Sequence, residues 1–225
     1  DLMYRNLVYD AMSRGHGRFF GGDKTPVAGH VQESTGDPLE AMAARMNLTA
    51  QGLGAMILKE DIDLLLTLRG TQLPPGANLG AEYVRLQYEH AAMVKRAMPK
   101  RSPEILAMWS GVIVIFPNVL ILPQAGNAAI YRALPDGDDP NRCTFEIFSV
   151  KTYPEGVRPP RAEVQLATAL ADPGQVGLIP RPDLGTLPRV QEGLRSSGMK
   201  QACLASNQEK LILNMHQELD RYLLA

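Results

Sequence analysis

Gly111-Val-Ile-Val-Ile-Phe-Pro-Asn-Val-Leu-Ile-Leu122 is the stretch that decides the fold class. Two β-branched and aliphatic runs stand on either side of Pro117-Asn118, the composition of strands joined at a breaker. Downstream, Ala128 to Leu134 and Cys143 to Tyr153 alternate apolar and polar residues, with Pro135-Asp-Gly-Asp-Asp-Pro140 between them. Period-two alternation buries one face of a strand and wets the other, so this region is predicted to be an antiparallel meander with turn chemistry at each break. Asn6 to Gly22 adds a shorter hairpin pattern around Ser13-Arg-Gly-His-Gly17.

Helical patterns flank the strands. A Gly-, Thr-, Ser- and Pro-containing loop, Gly21 to Gly36, leads to Asp37 and Pro38, an N-cap before a first-turn proline. Apolar residues then recur at helical spacing from Leu39 to Leu68, and Gly52 and Gly54 are expected to divide them into two helices. Leu73-Pro-Pro-Gly-Ala breaks the pattern, and Asn78 to Met98 resumes it. After the strands, Ala171 to Pro188 is expected to be an ordered loop entering a helix at Arg189 to Ser197 that stops at Gly198. Ser206-x-x-Glu209 has the form of a capping box opening a last helix, with an apolar face of Leu211, Ile212, Met215, Leu219, Tyr222 and Leu223. Helices before and after a run of strands imply an α+β domain. A curved antiparallel sheet wrapped around the terminal helix would leave an apolar cavity suited to a small hydrophobic ligand.

Composition narrows the function classes. The 225 residues suit one generous domain, and 45% hydrophobic with 21% charged residues excludes a disordered tail or a charge-rich coiled coil. Lys+Arg total 23 against 24 Asp+Glu, so no global field draws in nucleic acid. The longest apolar stretch, Gly111 to Pro123, is too short to span a bilayer, no signal peptide is visible, and the chain reads as cytoplasmic. Cys143 and Cys203 allow one disulfide at most, with burial as reduced thiols the expected state, and no CxxC pair is present for a zinc ribbon or a cluster. The chain has no Lys-Ser/Thr phosphate loop, no third glycine after Gly15-His-Gly17 and no GxSxG elbow, and Asn47-Leu-Thr49 falls in a helix pattern. None of His16, His30, His90 and His216 lies three or four residues from another, so solvation or structural hydrogen bonding is their expected role.

From Trp109 onward four segments, in order, resemble the catalytic domain of Rieske-type ring-hydroxylating oxygenase large subunits. They are Ile115-Phe-Pro-Asn118; Tyr131-Arg-Ala-Leu-Pro135 with Asp-Gly-Asp-Asp-Pro-Asn-Arg-Cys143; Asp183-Leu-Gly-Thr-Leu-Pro-Arg-Val-Gln191 through Gly198; and the closing Gln208-Glu with His216 and Leu219-Asp-Arg-Tyr222. The resemblance is looser through Tyr9 to Arg18 and weakest from Pro38 to Met98. It implies a helix-grip domain holding mononuclear Fe(II) in a 2-His-1-carboxylate triad whose open positions receive O2 beside the substrate.

In that family the carboxylate precedes a Gln by eight positions, as Asp183 precedes Gln191, so the resemblance makes Asp183 the metal and catalytic candidate. From the residues alone, Asp183 between Pro182 and Leu184 also fits a helix N-cap. The family's Asp-x-x-His-x-x-x-x-His segment has no counterpart in this sequence, nor have the Cys-x-His and Cys-x-x-His ligands of the Rieske [2Fe-2S] cluster. One carboxylate does not hold Fe(II) against water, so residues 1–225 are expected to be one catalytic domain of a longer chain, inactive alone. The opening Asp1-Leu-Met-Tyr agrees with that expectation. Alignment on Phe116-Pro117 and Asp183 puts Val112, Leu122, Ala125 and Ile179 at substrate-lining positions, for which plain core packing is the alternative reading.

The resemblance further implies electrons passed from NAD(P)H through a reductase, often with a ferredoxin. It implies cis-dihydroxylation or monooxygenation in aromatic hydrocarbon catabolism, a homotrimer, and in some members a small beta subunit. Composition and cavity serve equally a non-enzymatic helix-grip module that binds a small apolar ligand.

Overall fold

The computed structural model describes residues 7–21, 36–53, 56–72, 78–99, 111–170 and 172–225. The loop between Gly21 and Gly36 with its His30, the breaker at Leu73 to Ala77, and Trp109 lie outside the described residues. Among the described residues six strands form one antiparallel sheet in chain order: β1 (Leu7–Ser13), β2 (His16–Gly21), β3 (Val112–Ile115), β4 (Val119–Gln124), β5 (Asn127–Pro135) and β6 (Cys143–Lys151). The predicted meander is therefore present, and the early hairpin joins it edge to edge, Phe19 pairing with Val112.

Among the described residues between β2 and β3 lie three helices: α1 (Pro38–Leu53), α2 (Lys59–Leu66) and α3 (Leu79–Met93). The Asp37 side chain caps α1 by accepting the Leu39 N–H at 2.9 Å, and Asn78 caps α3 by accepting from Gly80 and Ala81. As expected from its glycines, the 39–68 pattern divides after Leu53. A cluster of buried side chains belongs to this layer and includes Leu39, Met46, Ile62, Leu65 and Tyr83. Asp61, in the first turn of α2, is only 6% exposed, and its carboxylate reaches back to the Leu58 N–H at 2.9 Å.

The helical layer is tied to the far end of the sheet by polar contacts. Asn127 donates to Asp61, Lys151 pairs with Glu60 at 2.8 Å, and the Glu155 N–H donates to the Lys95 carbonyl.

Three boundaries differ from expectation, and α3 is one of them, ending at Met93 where the pattern ran to Met98. Helix α4 runs Pro180–Leu194, nine residues ahead of the expected start. Pro180 and Pro182 stand in its first turn, where a missing N–H costs nothing. Only Pro188 lies inside, and the helix carries on through it. The last helix, α5 (Lys210–Leu223), begins four residues after Ser206. In place of a Ser206 box, the Glu209 carboxylate accepts the Ala205 N–H at 2.6 Å, four residues back. Both cysteines are free and exposed, so burial of the thiols is also corrected.

The grip itself is made by α5 against the β1–β2 hairpin. Gly17 on β2 leaves room for Leu211, and a Cβ at position 17 would stand 2.4 Å from the Leu211 Cδ2. The Asn214 amide donates to the carbonyls of Ser13 (2.9 Å) and His16 (3.1 Å), and the Tyr222 ring stacks on Phe116 with centroids 5.7 Å apart. The Ile115-Phe-Pro-Asn118 segment is thus a structural joint. Its Phe116 N–H donates to His16 Nδ1 at 3.0 Å, and its Asn118 amide donates to the Ala133 carbonyl.

Candidate functional site

Strand register determines which side chains face the helix. Partners across an antiparallel ladder share a face, as do alternate residues along one strand. The pairs Tyr9–Phe19, Phe19–Val112, Gly17–Val114, Val114–Leu120 and Leu120–Tyr131 place one continuous set on the face that α5 covers. The opposite face carries two ion pairs, Arg18 with Asp10, and Arg132 with Glu146, the Arg132 guanidinium lying over the Phe148 ring.

Between that face and α5 lies a half-open cavity of about 680 Å³, within the range of small-molecule sites. Its sheet wall consists of Tyr9, Phe19, Val114 and Leu120, and its helix wall of Leu211, Ile212 and Met215. Tyr9 and Phe19 are stacked, with ring centroids 5.8 Å apart and planes at 30°. Burial raises the Tyr9 phenol above its ordinary pKa, so it stays neutral further into the alkaline range. Gln208 and Glu209 line the cavity where α5 begins.

Asp183 lies in the first turn of α4, exposed to solvent, and the N-cap position belongs to Ile179. Its charge is felt on the sheet. Burial first, and then the negative charge of Asp183, raise the Tyr131 phenol above its ordinary value. Since Tyr131 pairs with Leu120 of the cavity wall, Asp183 stands near the next strand along from the cavity, outside its lining.

The four substrate-lining candidates are distributed differently from the cavity. Val112 and Leu122 share the covered face, each two residues from a lining residue on its own strand, Val114 and Leu120. Ala125 is buried at the β4–β5 turn. Ile179 donates its N–H to the Gly52 carbonyl at 3.0 Å, and its side chain occupies the space a Cβ at Gly52 would need. None of the four lines the cavity.

The residues that do line it had a visible signal. Val114 and Leu120 belong to the aliphatic runs, and Leu211, Ile212 and Met215 to the apolar face of the last helix. The sequence lacks any mark of which of the sheet's apolar positions the helix covers. Among the described residues no three His, Cys, Asp or Glu side chains gather as a metal site, and no helix is long and apolar enough to cross a membrane. His16 serves the β3–β4 joint through Nδ1, and His216 is exposed on α5.

Comparison with known families matches residues 75–225 to the ring hydroxylating alpha subunit (catalytic domain) family. No curated protein and no solved structure matches the chain.

Proposed function

The chain belongs to the ring hydroxylating alpha subunit catalytic-domain family, and from that premise we propose that it binds the aromatic substrate of a Rieske-type oxygenase and contributes Asp183 to its iron site. The supporting observation is the apolar cavity of about 680 Å³ between the sheet and the last helix. Transfer of an aromatic ring from water to such walls is favourable in proportion to the area covered, and the walls hold the ring in one orientation. The family implies mononuclear iron, a Rieske cluster and electrons from NAD(P)H through a reductase. The described residues do not fit the iron by themselves, because Asp183 has no pair of imidazoles gathered beside it.

The work of this chain is therefore to bind and orient the ring, to exclude water around it and to present one acidic oxygen. Cis-dihydroxylation or monooxygenation of an aromatic hydrocarbon is the reaction this reading assigns to the assembled enzyme, with a reductase or ferredoxin as electron donor and trimer formation as its setting.

The test uses protein expressed from the complete natural reading frame, with iron content and naphthalene-dependent O2 uptake as readouts. About one mononuclear iron per chain is expected, lost in Asp183→Ala together with oxygen uptake. Retention of both in Asp183→Ala would remove Asp183 from the site. Naphthalene binding that is indifferent to iron and consumes no O2 would establish the alternative, an apolar-ligand carrier on the same fold.

A further inference from the structure

We propose that the cavity under the first turns of α5 is the seat of an aromatic ring bearing a hydrogen-bond donor, such as a phenolic hydroxyl or an aryl amine, and that Glu209 accepts that donor. The inference rests on the aromatic-substrate reading above and adds to it the place of the ring and the polarity of its substituent.

The walls select a flat ring. On one side Tyr9 and Phe19 form a stacked aromatic pair, against which a further ring packs offset or edge-on. On the other side Leu211 and Met215 stand one helical turn apart, and a methionine thioether packs well at an aromatic edge. These walls are neutral, since a tyrosine phenol is protonated at neutral pH and burial raises the Tyr9 phenol further.

Polarity enters at one end. Gln208 and Glu209 lie where α5 begins, while Leu211, Ile212 and Met215 follow along the helix. A ring between the apolar walls therefore points a substituent toward these two side chains. The Glu209 carboxylate, which lines the cavity, is already held in place, because its Oε2 accepts the Ala205 N–H at 2.6 Å. An ionised carboxylate only accepts hydrogen bonds, and its two oxygens have about four lone-pair sites, so one backbone bond leaves capacity for a ligand donor. A hydroxyl or amine on the ring gains a charge-assisted bond, an unsubstituted ring gains nothing, and a ring carboxylate meets like charge. Because the backbone bond has already ordered the side chain, less rotamer entropy is lost when ligand binds.

The experiment is equilibrium binding of 2-naphthol, naphthalene and 2-naphthoate to the full chain. Variants Glu209→Gln, Met215→Trp and Val112→Trp are measured alongside, with circular dichroism confirming that each is folded. Expected are naphthol binding about tenfold tighter than naphthalene, and naphthoate weaker than both. Glu209→Gln, which keeps an acceptor for the Ala205 N–H and for the ring donor but loses the charge, should shrink the naphthol preference to about two- to threefold and admit naphthoate. Met215→Trp, which fills the cavity, should abolish binding of all three. If it does not fold, Ile212→Trp, at a position 41% exposed, makes the same test.

Equal binding of naphthol and naphthalene, unmoved by Glu209→Gln, would overturn the role of Glu209 and leave the seat standing. Binding that survives the cavity-filling variants and is lost in Val112→Trp would overturn the seat and move the ring to the neighbouring positions. Failure of all three ligands to bind the folded wild type would also overturn the seat. The oxygenase reading is judged separately by the iron and oxygen measurements on Asp183→Ala.

Discussion

Replacing Gly17 with alanine tests whether α5 seats on the β1–β2 hairpin as described, and two opposing effects set its sign. Glycine inside a strand is entropically poor, so Gly→Ala with free space around it should stabilise by about 0.5–1 kcal/mol. At position 17 the space is taken. The new Cβ would lie 2.4 Å from the Leu211 Cδ2 and 2.8 Å from the Asp10 carbonyl oxygen, where about 3.4 Å is ordinary contact. Leu211 lines the cavity and can turn its Cδ2 partly into that space, but the Asp10 oxygen belongs to the paired backbone of β1 and cannot move aside without disturbing the ladder. Overpacking of this kind costs about 1–3 kcal/mol, which outweighs the entropic gain and leaves a net loss of roughly 0.5–2 kcal/mol.

Urea or guanidinium denaturation followed by circular dichroism reads this directly. Two companions make the result specific. Gly193→Ala, on α4 where an added Cβ would meet nothing within 4 Å, should stabilise by up to about 1 kcal/mol, the ordinary helix propensity difference. Leu211→Ala alone should cost about 2–5 kcal/mol. Combined with Gly17→Ala it should cost less than the sum, because the larger of the two clashes has gone, while the Asp10 oxygen remains. A stabilising Gly17→Ala, or strict additivity in the double variant, would show that the helix does not rest there.

Two further outcomes concern the polar ties. Asn214→Ala removes the amide that bridges the Ser13 and His16 carbonyls, and should lower stability by about 1–3 kcal/mol in the same denaturation assay; a change under about 0.5 kcal/mol would mean that water replaces the amide without loss. Asp61 has its pKa raised, mainly by burial and in part by the charge of Glu60, against the opposing Leu58 N–H, the facing Arg96 and the Asn127 amide. The folded state thus keeps a proton that the unfolded chain releases, so this group's contribution to stability falls as pH rises from about 4 toward the raised value. Asp61→Asn, whose amide oxygen can still accept the Leu58 N–H, should remove that part of the slope; equal slopes in both proteins between about pH 4 and 7 would refute it.

Local signals in the sequence determined most of the secondary structure. Asp37 before Pro38, Asn78 before its helix, the glycines on either side of Leu53 and the turn residues at 117–118 and 135–140 each act within a few residues, so they are legible without a fold. The antiparallel meander and the terminal helix follow from periodicity. The family, too, was carried by local motifs, and its match over residues 75–225 agrees with them. Where the reading missed, at the start of α4 and of α5, several weak local preferences competed. Prolines that look like loop markers are tolerated in a first helical turn, and Glu209 found a backbone partner other than the one a capping box would give it.

Only the tertiary structure decided which apolar residues enclose space. Val112 and Val114 are indistinguishable by type and share one sheet face, yet Val114 lines the cavity and Val112 does not. The difference arises because Gly17, far away in sequence, lets Leu211 approach, and because Phe116 and Asn214 fix the helix along the sheet. A cavity is the volume left between surfaces, and its position depends on the sum of long-range contacts, which no short stretch of residues encodes.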